Sequence, residues 1–411
     1  MASATATQVS ADATARSHLP WIVALAIVAR VLTAVFYFRS NQIIPLHNWG
    51  YENVSIALSL HAGHGYGSPF FFPSGPTAFM PPGYPLLIAG FMRLLGTGTA
   101  ATIALVVFQI LLSVLTVGLV HHVGRRYFGQ RAGNFAGLLC ALAEPFLIAP
   151  LYIWDTCLSA LILVGAVAVA PMLRSKGSFA ATGVACAAAA LINPALLPTL
   201  FAIAAWSAWR ARIVPWLGIL CFLVAFAPWP IRNYATMHAF IPLRSNFGYE
   251  LWQGNHPGSD GETPAFKTPA VNTEEHALFL AEGELGYMRE KHHLATSWIE
   301  ANPGEFARLS VRRFVHFWSG SSKSPGPMTL ALVALGIAGV VLLWRSRQLF
   351  ILFALPLVLY PLPYYITHAD ARYQFVLDPL LAILAGYTCE LFFAWCARRP
   401  APVPTLTDSI H

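Results

Sequence analysis

Long apolar stretches recur along the chain, near residues 20–37, 100–122, 133–150, 154–172, 178–192, 195–209, 214–230, 328–344, 348–362 and 374–396. Runs of this kind approach the length at which a helix crosses a bilayer, so the pattern predicts about ten transmembrane helices and an all-α polytopic membrane protein. The polar positions between them form loops of two kinds. One set reads GRRYFGQR, RSKG, WRAR, WRSRQ and CARRP, each with at least two basic residues and no acid. Such loops mark the cytoplasmic side. The other set holds residues 38–99, the junction LYIWDT, the long segment 231–326 and the last loop YYITHADARYQF. Ten spans bring both termini to the basic side, and 14 of the 18 acids, all but Asp12, Glu144, Glu390 and Asp408, fall on or near the other. Chemistry, if the chain performs any, belongs to the outer side.

Two outer stretches carry helical signals of their own. In YENVSIALSLHAG, Ser55 and Ser59 return to the side of Glu52, whereas Val54, Ala57, Leu58 and His61 gather on the other. This predicts an amphipathic helix lying on the membrane surface with Glu52 facing an aqueous cleft. The sequence NTEE at 272–275 sets Asn272 and Glu275 as a capping box, opening a helix that runs to about Ala301 before NPG breaks it. A second helix, EFARLSVRRFVHFW, leads back toward the membrane. With the Gly/Pro/Asn-rich NFGYELWQGNHPGSDGETP in front, residues 231–326 read as a helical lid.

Composition agrees with this pattern. Of the 411 residues, 56% are hydrophobic and only 10% charged, too apolar for an ordinary soluble domain. The organisation expected is a disordered cytoplasmic tail at 1–19, an integral membrane domain at 20–396 with its first outer loop at 38–99, and a second cytoplasmic tail at 397–411. The first run, Trp21 to Tyr37, is long, contains Arg30 and lacks a small-residue cleavage site, so it reads as a retained span. A net charge of +7 would suit nucleic acid, yet the Lys and Arg positions follow topology, and no nucleic-acid partner is implied. The six cysteines sit in or beside apolar runs with no metal or redox spacing and read as small buried hydrophobes.

Candidate chemistry lies in the acids and arginines of the outer set. Glu52 is nearly alone in a loop of aromatics, glycines and PPGYP; its plainer role is to complement the dipole of the helix it opens. Asp155 stands at the outer end of a span, where an ionisable group needs a cavity, a partner or a capping role. Arg232, in APWPIRNY, sits where a span meets the surface, as a snorkelling arginine would. The last loop packs His368, Asp370, Arg372 and Tyr373 into six residues. Arg372 suits a phosphate through its forked donors, or an ion pair with Asp370. Arg30, mid-span, calls for a packing partner. His61 and His64 lack a third ligand for a metal. Arg312 and Arg313 read as interfacial anchors.

Taken in order, GYENVSIALSL, GHGY, PPGYPLLIAG, RRYFGQRAG, LINPALLP, PWPIRNY and HADARYQFVLDPLL resemble the polyprenyl-phosphate-sugar-dependent membrane glycosyltransferases of the C-type fold. The branch is that of the protein O-mannosyltransferases and bacterial aminoarabinose transferases, and the resemblance spans about residues 20–395. Where that family commonly carries an Asp-Glu pair, this chain has Tyr51-Glu52. The resemblance implies a bacterial plasma membrane enzyme that transfers a sugar, with inversion, from a polyprenyl-phosphate donor to a lipid, glycan or protein acceptor on the outer face. It implies Glu52 as the catalytic base. A phosphate leaving group needs charge stabilisation and no general acid, which makes Arg372 and Arg232 the donor-phosphate candidates. Asp155, His368, Asp370 and Tyr373 become sugar or acceptor contacts, and the aromatic loop a wall for the sugar. No cofactor is specified; a divalent metal is the one candidate kept open.

Two other readings compete. A transporter or flippase of lipid-linked sugars needs polar groups at the bilayer midplane and interrupted spans, and here only Arg30 and LINPALL qualify. An enzyme of the O-antigen ligase or polymerase type typically uses a pyrophosphate-linked donor and a large late outer loop, and the acid in the first loop speaks against it.

Overall fold

The structure, a computed structural model, describes residues 16–261, 268–319, 326–397 and 404. Residues 1–15 of the expected first tail and nearly all of the second lie outside the described residues. Among those described the protein is helical, with a single isolated bridge between Gly67 and Pro76 and no strand. In chain order the helices are α1 (Leu19–Ser40), α2 (Glu52–His61) and α3 (Gly83–Leu95) in the first outer loop, then α4 (Thr99–Phe128), α5 (Gln130–Leu142), α6 (Glu144–Ile148), α7 (Thr156–Val169), α8 (Lys176–Ala190), α9 (Leu197–Ala211) and α10 (Trp216–Phe226). They continue with α11 (Pro228–Met237), α12 (Phe247–Gly254), α13 (Thr273–Ala301), α14 (Pro303–Ser319), α15 (Pro327–Leu342), α16 (Arg347–Leu359), α17 (Leu362–Ile366), α18 (Ala371–Gln374) and α19 (Asp378–Cys396).

The protein is an all-α polytopic membrane protein. Each of the ten apolar stretches falls on helix, but length separates them. Six described helices are long and apolar enough to cross a membrane: Leu19–Ser40, Thr99–Phe128, Trp216–Met237, Pro327–Arg345, Arg347–Ile366 and Asp378–Cys396. A seventh is added if α5 and the following segment Glu144–Leu151, bent by 55°, form one broken span. The remaining three runs give Thr156–Met172, α8 and α9, which at 15–17 residues reach roughly 22–26 Å, short of a hydrocarbon core of about 30 Å. The expected count of ten crossings is therefore not reached by length.

Helix α19 is the axis of the core: Leu380, Leu381, Ala382, Ile383, Leu384 and Ala385 are all fully buried. Small residues let neighbours approach it. A Cβ at Gly386 would meet the Ala132 carbonyl of α5. Gly183 of α8 and Gly218 of α10 bring those two helices equally close, since a Cβ at either would strike the backbone of the other. Arg30 is fully buried in α1 and donates to Ser113 Oγ (2.8 Å) and to the carbonyls of Ala26, Cys140 and Ala141. The last two belong to the final turn of α5, whose carbonyls have no partner within the helix. Arg30 thus satisfies the bend before α6, a packing role.

After α11 the local helix signals are realised. Asn272 Oδ1 accepts from the Glu275 amide at 3.0 Å and opens α13, which runs to Ala301 with a kink at Gly283 (φ 65°). The Glu275 carboxylate does not return to the cap. It accepts from Tyr287 Oη (2.7 Å) and pairs with buried Lys291 (2.6 Å), whose ammonium lies 4.0 Å from the centre of the Trp252 ring. Around this pair the lid has an aromatic core that includes Tyr249, Trp252, Phe279 and Tyr287. Phe70 and Phe79, from the loop between α2 and α3, complete it. Phe70 and Phe79 are therefore committed to this packing and not to a sugar wall.

Candidate functional site

Glu52 is the first residue of α2, after Tyr51 in extended conformation. The helix forms there because its apolar positions have a place to go: Val54 and Ala57 are fully buried against Leu46, Trp49, Tyr84 and Ile88. Its serines do not face a cleft as expected. Ser55 Oγ donates to the Ser68 carbonyl (2.6 Å) and accepts from the Phe71 amide (2.7 Å), and Ser59 Oγ donates to the Gly65 carbonyl (2.9 Å). They fold the loop back over the helix, and Glu52 is half-buried within electrostatic reach of Arg372, Glu250 and Arg244.

Burial raises the Glu52 carboxyl above the ordinary glutamate value. Its own backbone amide, Arg372 and Arg244 pull it down, and the like charge of Glu250 pushes it up. Four charged groups thus share one electrostatic neighbourhood, drawn from the first loop, the segment after α11, the lid and the last loop.

Arg372 lies over the Trp154 ring, 3.9 Å from its centre, and donates through Nη2 to Tyr373 Oη at 3.1 Å. Its Nε is buried without a hydrogen bond; Asp370 Oδ2 approaches only to 3.9 Å. Asp370 instead caps α18, accepting the Arg372 amide at 3.0 Å. Tyr373 Oη is also 3.0 Å from His368 Nε2, and Glu250 Oε2 stands 3.5 Å from His368 Nδ1. Burial lowers the pKa of His368, with Glu250 opposing it. The other Glu250 oxygen accepts from Asn246 Nδ2 (2.6 Å) and Arg244 Nη2 (3.4 Å). Arg244 also donates to the Phe79 carbonyl at 3.1 Å. Trp154 is packed against Tyr51, 4.8 Å between centres with the rings tilted by 57°, so the guanidinium, the indole and the residue before Glu52 are in one chain of contacts.

Asp155, beside Trp154, makes no side-chain cap to α7. Its Oδ2 accepts from Ser159 Oγ (2.7 Å) and Asn193 Nδ2 (2.9 Å), joining LYIWDT to LINPALLP. It also lies within electrostatic reach of Tyr364, whose ring stacks on Tyr373 at 4.0 Å. Asp155 therefore forms a second polar node next to the Arg372 cluster.

Of the sequence-predicted residues, the structure brings together Glu52, Arg372, His368, Asp370 and Tyr373, with Asp155 adjoining. Arg232 is placed apart from them. Its guanidinium donates to the backbone carbonyls of Thr77 (2.7 Å) and Tyr66 (2.6 Å) and lies over the Tyr66 and Trp229 rings. Those bonds tie α11 to the loop around Tyr66 and Thr77. Sequence reasoning missed Arg244 and Glu250, which stand six residues apart around NFGYE directly after the Trp216–Met237 span. No group of three or more potential metal ligands occurs among the described residues, and His61 and His64 are exposed.

Several solved structures are similar to the chain. ArnT from Cupriavidus metallidurans bound to undecaprenyl phosphate is 20% identical, with 90% of this chain and 60% of that one covered at a TM-score of 0.47. The oligosaccharyltransferase AglB from Archaeoglobus fulgidus, in complex with an inhibitory peptide and a dolichol-phosphate, is 16% identical over 92% of this chain and 51% of that one, at 0.46. The Archaeoglobus fulgidus oligosaccharyltransferase in its apo form gives 13%, 93%, 51% and 0.49. The chain spans about half to three fifths of the length of these structures. Among curated proteins no match is found. Residues 80–231, which include Asp155 but neither Glu52 nor Arg372, match the family model of the dolichyl-phosphate-mannose-protein mannosyltransferases, and the chain resembles that family of membrane glycosyltransferases as its motifs do.

Proposed function

We propose that the protein is a membrane glycosyltransferase that moves a sugar from a polyprenyl-phosphate donor to an acceptor hydroxyl, with residues 20–396 as one integral membrane unit. The observation that carries this reading is the joint placement of one half-buried carboxylate, Glu52, with two arginines, Arg372 and Arg244. A single base beside cationic donors is what displacement of a phosphate requires.

In the reaction the acceptor oxygen attacks the anomeric carbon and the carbon–oxygen bond to phosphate breaks, inverting the centre. The acceptor proton passes to Glu52, and the bonding electron pair leaves with the polyprenyl phosphate. Burial of Glu52 makes it a stronger base than an exposed glutamate. Charge gathering on the departing phosphate is met by Arg372, whose buried Nε has no hydrogen bond, and by Arg244. Glu250 and Asn246 hold Arg244 and His368 in register, while Tyr373 orients Arg372. Asp155, His368, Asp370 and Tyr373 line the side from which sugar or acceptor hydroxyls are held. No step in this scheme needs a metal.

The site belongs to the face opposite the basic loops, which the charge rule makes the outer one, and the family resemblance implies a bacterial plasma membrane. The test is transfer from a radiolabelled polyprenyl-phosphate sugar by the reconstituted protein and by Glu52→Gln. The variant keeps the shape of the side chain, and a loss of roughly 10²- to 10⁴-fold in turnover is expected. Turnover within a few fold of the wild type would overturn the role of Glu52.

A further inference from the structure

Arg313, read from the sequence as an interfacial anchor, is fully buried on α14. Its guanidinium meets the ends of two other helices. Through Nη2 it donates to the carbonyl of Gly254, the last residue of α12, and to Asn255 Oδ1 at 3.0 Å. Through Nη1 it donates to the carbonyls of Ile366 (3.2 Å) and Tyr365 (3.4 Å), the last two residues of α17. The final carbonyls of a helix have no partner within it, so one planar fork satisfies two helix ends at once. Asn255 repeats the tie: its Nδ2 donates to the Ile366 carbonyl at 2.9 Å and to the Leu251 carbonyl at 2.7 Å. No side chain comes between the two ends, since a Cβ at Gly254 would strike the Thr367 carbonyl.

What these ends carry gives the clamp its meaning. Glu250 lies one helical turn before Gly254 on α12, and His368 follows shortly after Ile366. Glu250 Oε2 and His368 Nδ1 are 3.5 Å apart, and His368 Nε2 is 3.0 Å from Tyr373 Oη, to which Arg372 donates. The placement of α12 against α17 therefore decides where the Glu250 carboxylate stands against the last loop, and the same carboxylate receives Arg244. We infer that Arg313 is a positioning residue of the transfer site: by joining the ends of α12 and α17 it holds Glu250 against His368 and, through His368 and Tyr373, sets Arg372. Its part in the reaction rests on the proposed transferase reading; the clamp itself does not.

His368 reports on the clamp without any need for turnover. It faces Glu250 from α12 and Asp370, Arg372 and Tyr373 from its own loop, and Glu250 is the foremost group raising its pKa against burial. The experiment follows the His368 titration by NMR of the full chain carrying nitrogen-15 histidine, the signal being assigned by its loss in His368→Gln. Arg313→Lys keeps the charge but has no fork to span both helix ends. It should move the His368 titration to lower pH, as Glu250→Gln does, and the double variant should titrate where Glu250→Gln alone does. Asn255→Ala, a milder cut in the same clamp, should shift it in the same direction and decides the matter if Arg313→Lys does not fold. A lowered melting temperature with His368 titrating as in the wild type would overturn the positioning role. So would a shift in the double variant that sums the two single shifts. In transfer assays Arg313→Lys should lose up to about a hundredfold in kcat/KM, with the acidic limb moved to lower pH. A shifted His368 titration with turnover and limb unchanged would uphold the clamp and sink the assignment of Glu52 instead.

Discussion

The guanidinium of Arg372 lies 3.9 Å from the centre of the Trp154 ring, and Trp154 in turn packs on Tyr51, the residue before Glu52. A planar cation held on an indole keeps its edge donors available, and the contact is worth about 1–2 kcal/mol where water is excluded. Trp154→Leu should therefore weaken binding of a polyprenyl phosphate by roughly tenfold while turnover at saturating donor changes less. Arg372→Lys should lose more, because an ammonium supplies neither the stack nor the fork. Donor titrations of both variants check this; a lysine variant with wild-type affinity would remove Arg372 from the phosphate site.

The proposed role of Glu52 sets a pH dependence with a definite sign. As the proposed base it must be ionised, so activity should fall as the pH drops through its pKa, which burial holds above the ordinary glutamate value. Because Glu250 pushes that value up, Glu250→Gln should move the acidic limb of kcat/KM to lower pH. Arg244→Gln should move it higher. Limbs that stay fixed in both variants would assign the titration to another group.

The same shift bears on stability. Between the ordinary glutamate pKa and the raised one, the folded state holds more protons at Glu52 than the unfolded state does. Stability therefore falls as pH rises through that window, and the cost persists above it. Glu52→Gln, neutral throughout, should melt at a higher temperature than the wild type at neutral pH and lose that advantage in acid. A melting curve that is indifferent to the substitution at both pH values would argue that the carboxylate is well solvated.

Local signals in the sequence carried far. The Asn272 cap and the helix it opens were legible because capping is decided within four residues. The dense last loop was legible because its residues are neighbours in the chain. Arg244 and Glu250 were not, since their significance depends on the lid bringing α12 against the His368–Tyr373 loop. Hydropathy likewise registers apolar length but not the bend between α5 and α6. Arg232 shows the converse: its position at a membrane boundary suggested a ligand, whereas backbone carbonyls from a loop some 155 residues earlier are its partners.

That placement makes Arg232 a test of the site's limits. Arg232→Ala removes two bonds to loop carbonyls and two ring contacts, and should lower the melting temperature in step with the lost activity. The folded fraction should keep the wild-type KM for donor. A raised KM at unchanged stability would return Arg232 to the phosphate.

Glu284 is the acid whose importance the sequence concealed, since on α13 it reads as one more charge on a solvated helix. It is buried, and its carboxylate accepts from Thr77 Oγ1, from the Ala78 amide (2.9 Å) and from Ser245 Oγ (2.6 Å). The first two belong to the loop between α2 and α3 and the third to the segment before α12, so one side chain ties α13 to both. Glu284→Ala leaves those donors buried without an acceptor, a penalty of about 3 kcal/mol. Glu290, exposed on the same helix, should cost less than about 0.5 kcal/mol when changed to alanine. Thermal melting together with limited proteolysis checks the pair: Glu284→Ala should melt early and be cleaved first in residues 231–326, because the lid there has lost its tie to the loop that carries Glu52. Identical melting and cleavage in the two variants would mean that aromatic packing around Phe279 and Tyr287 holds the lid by itself.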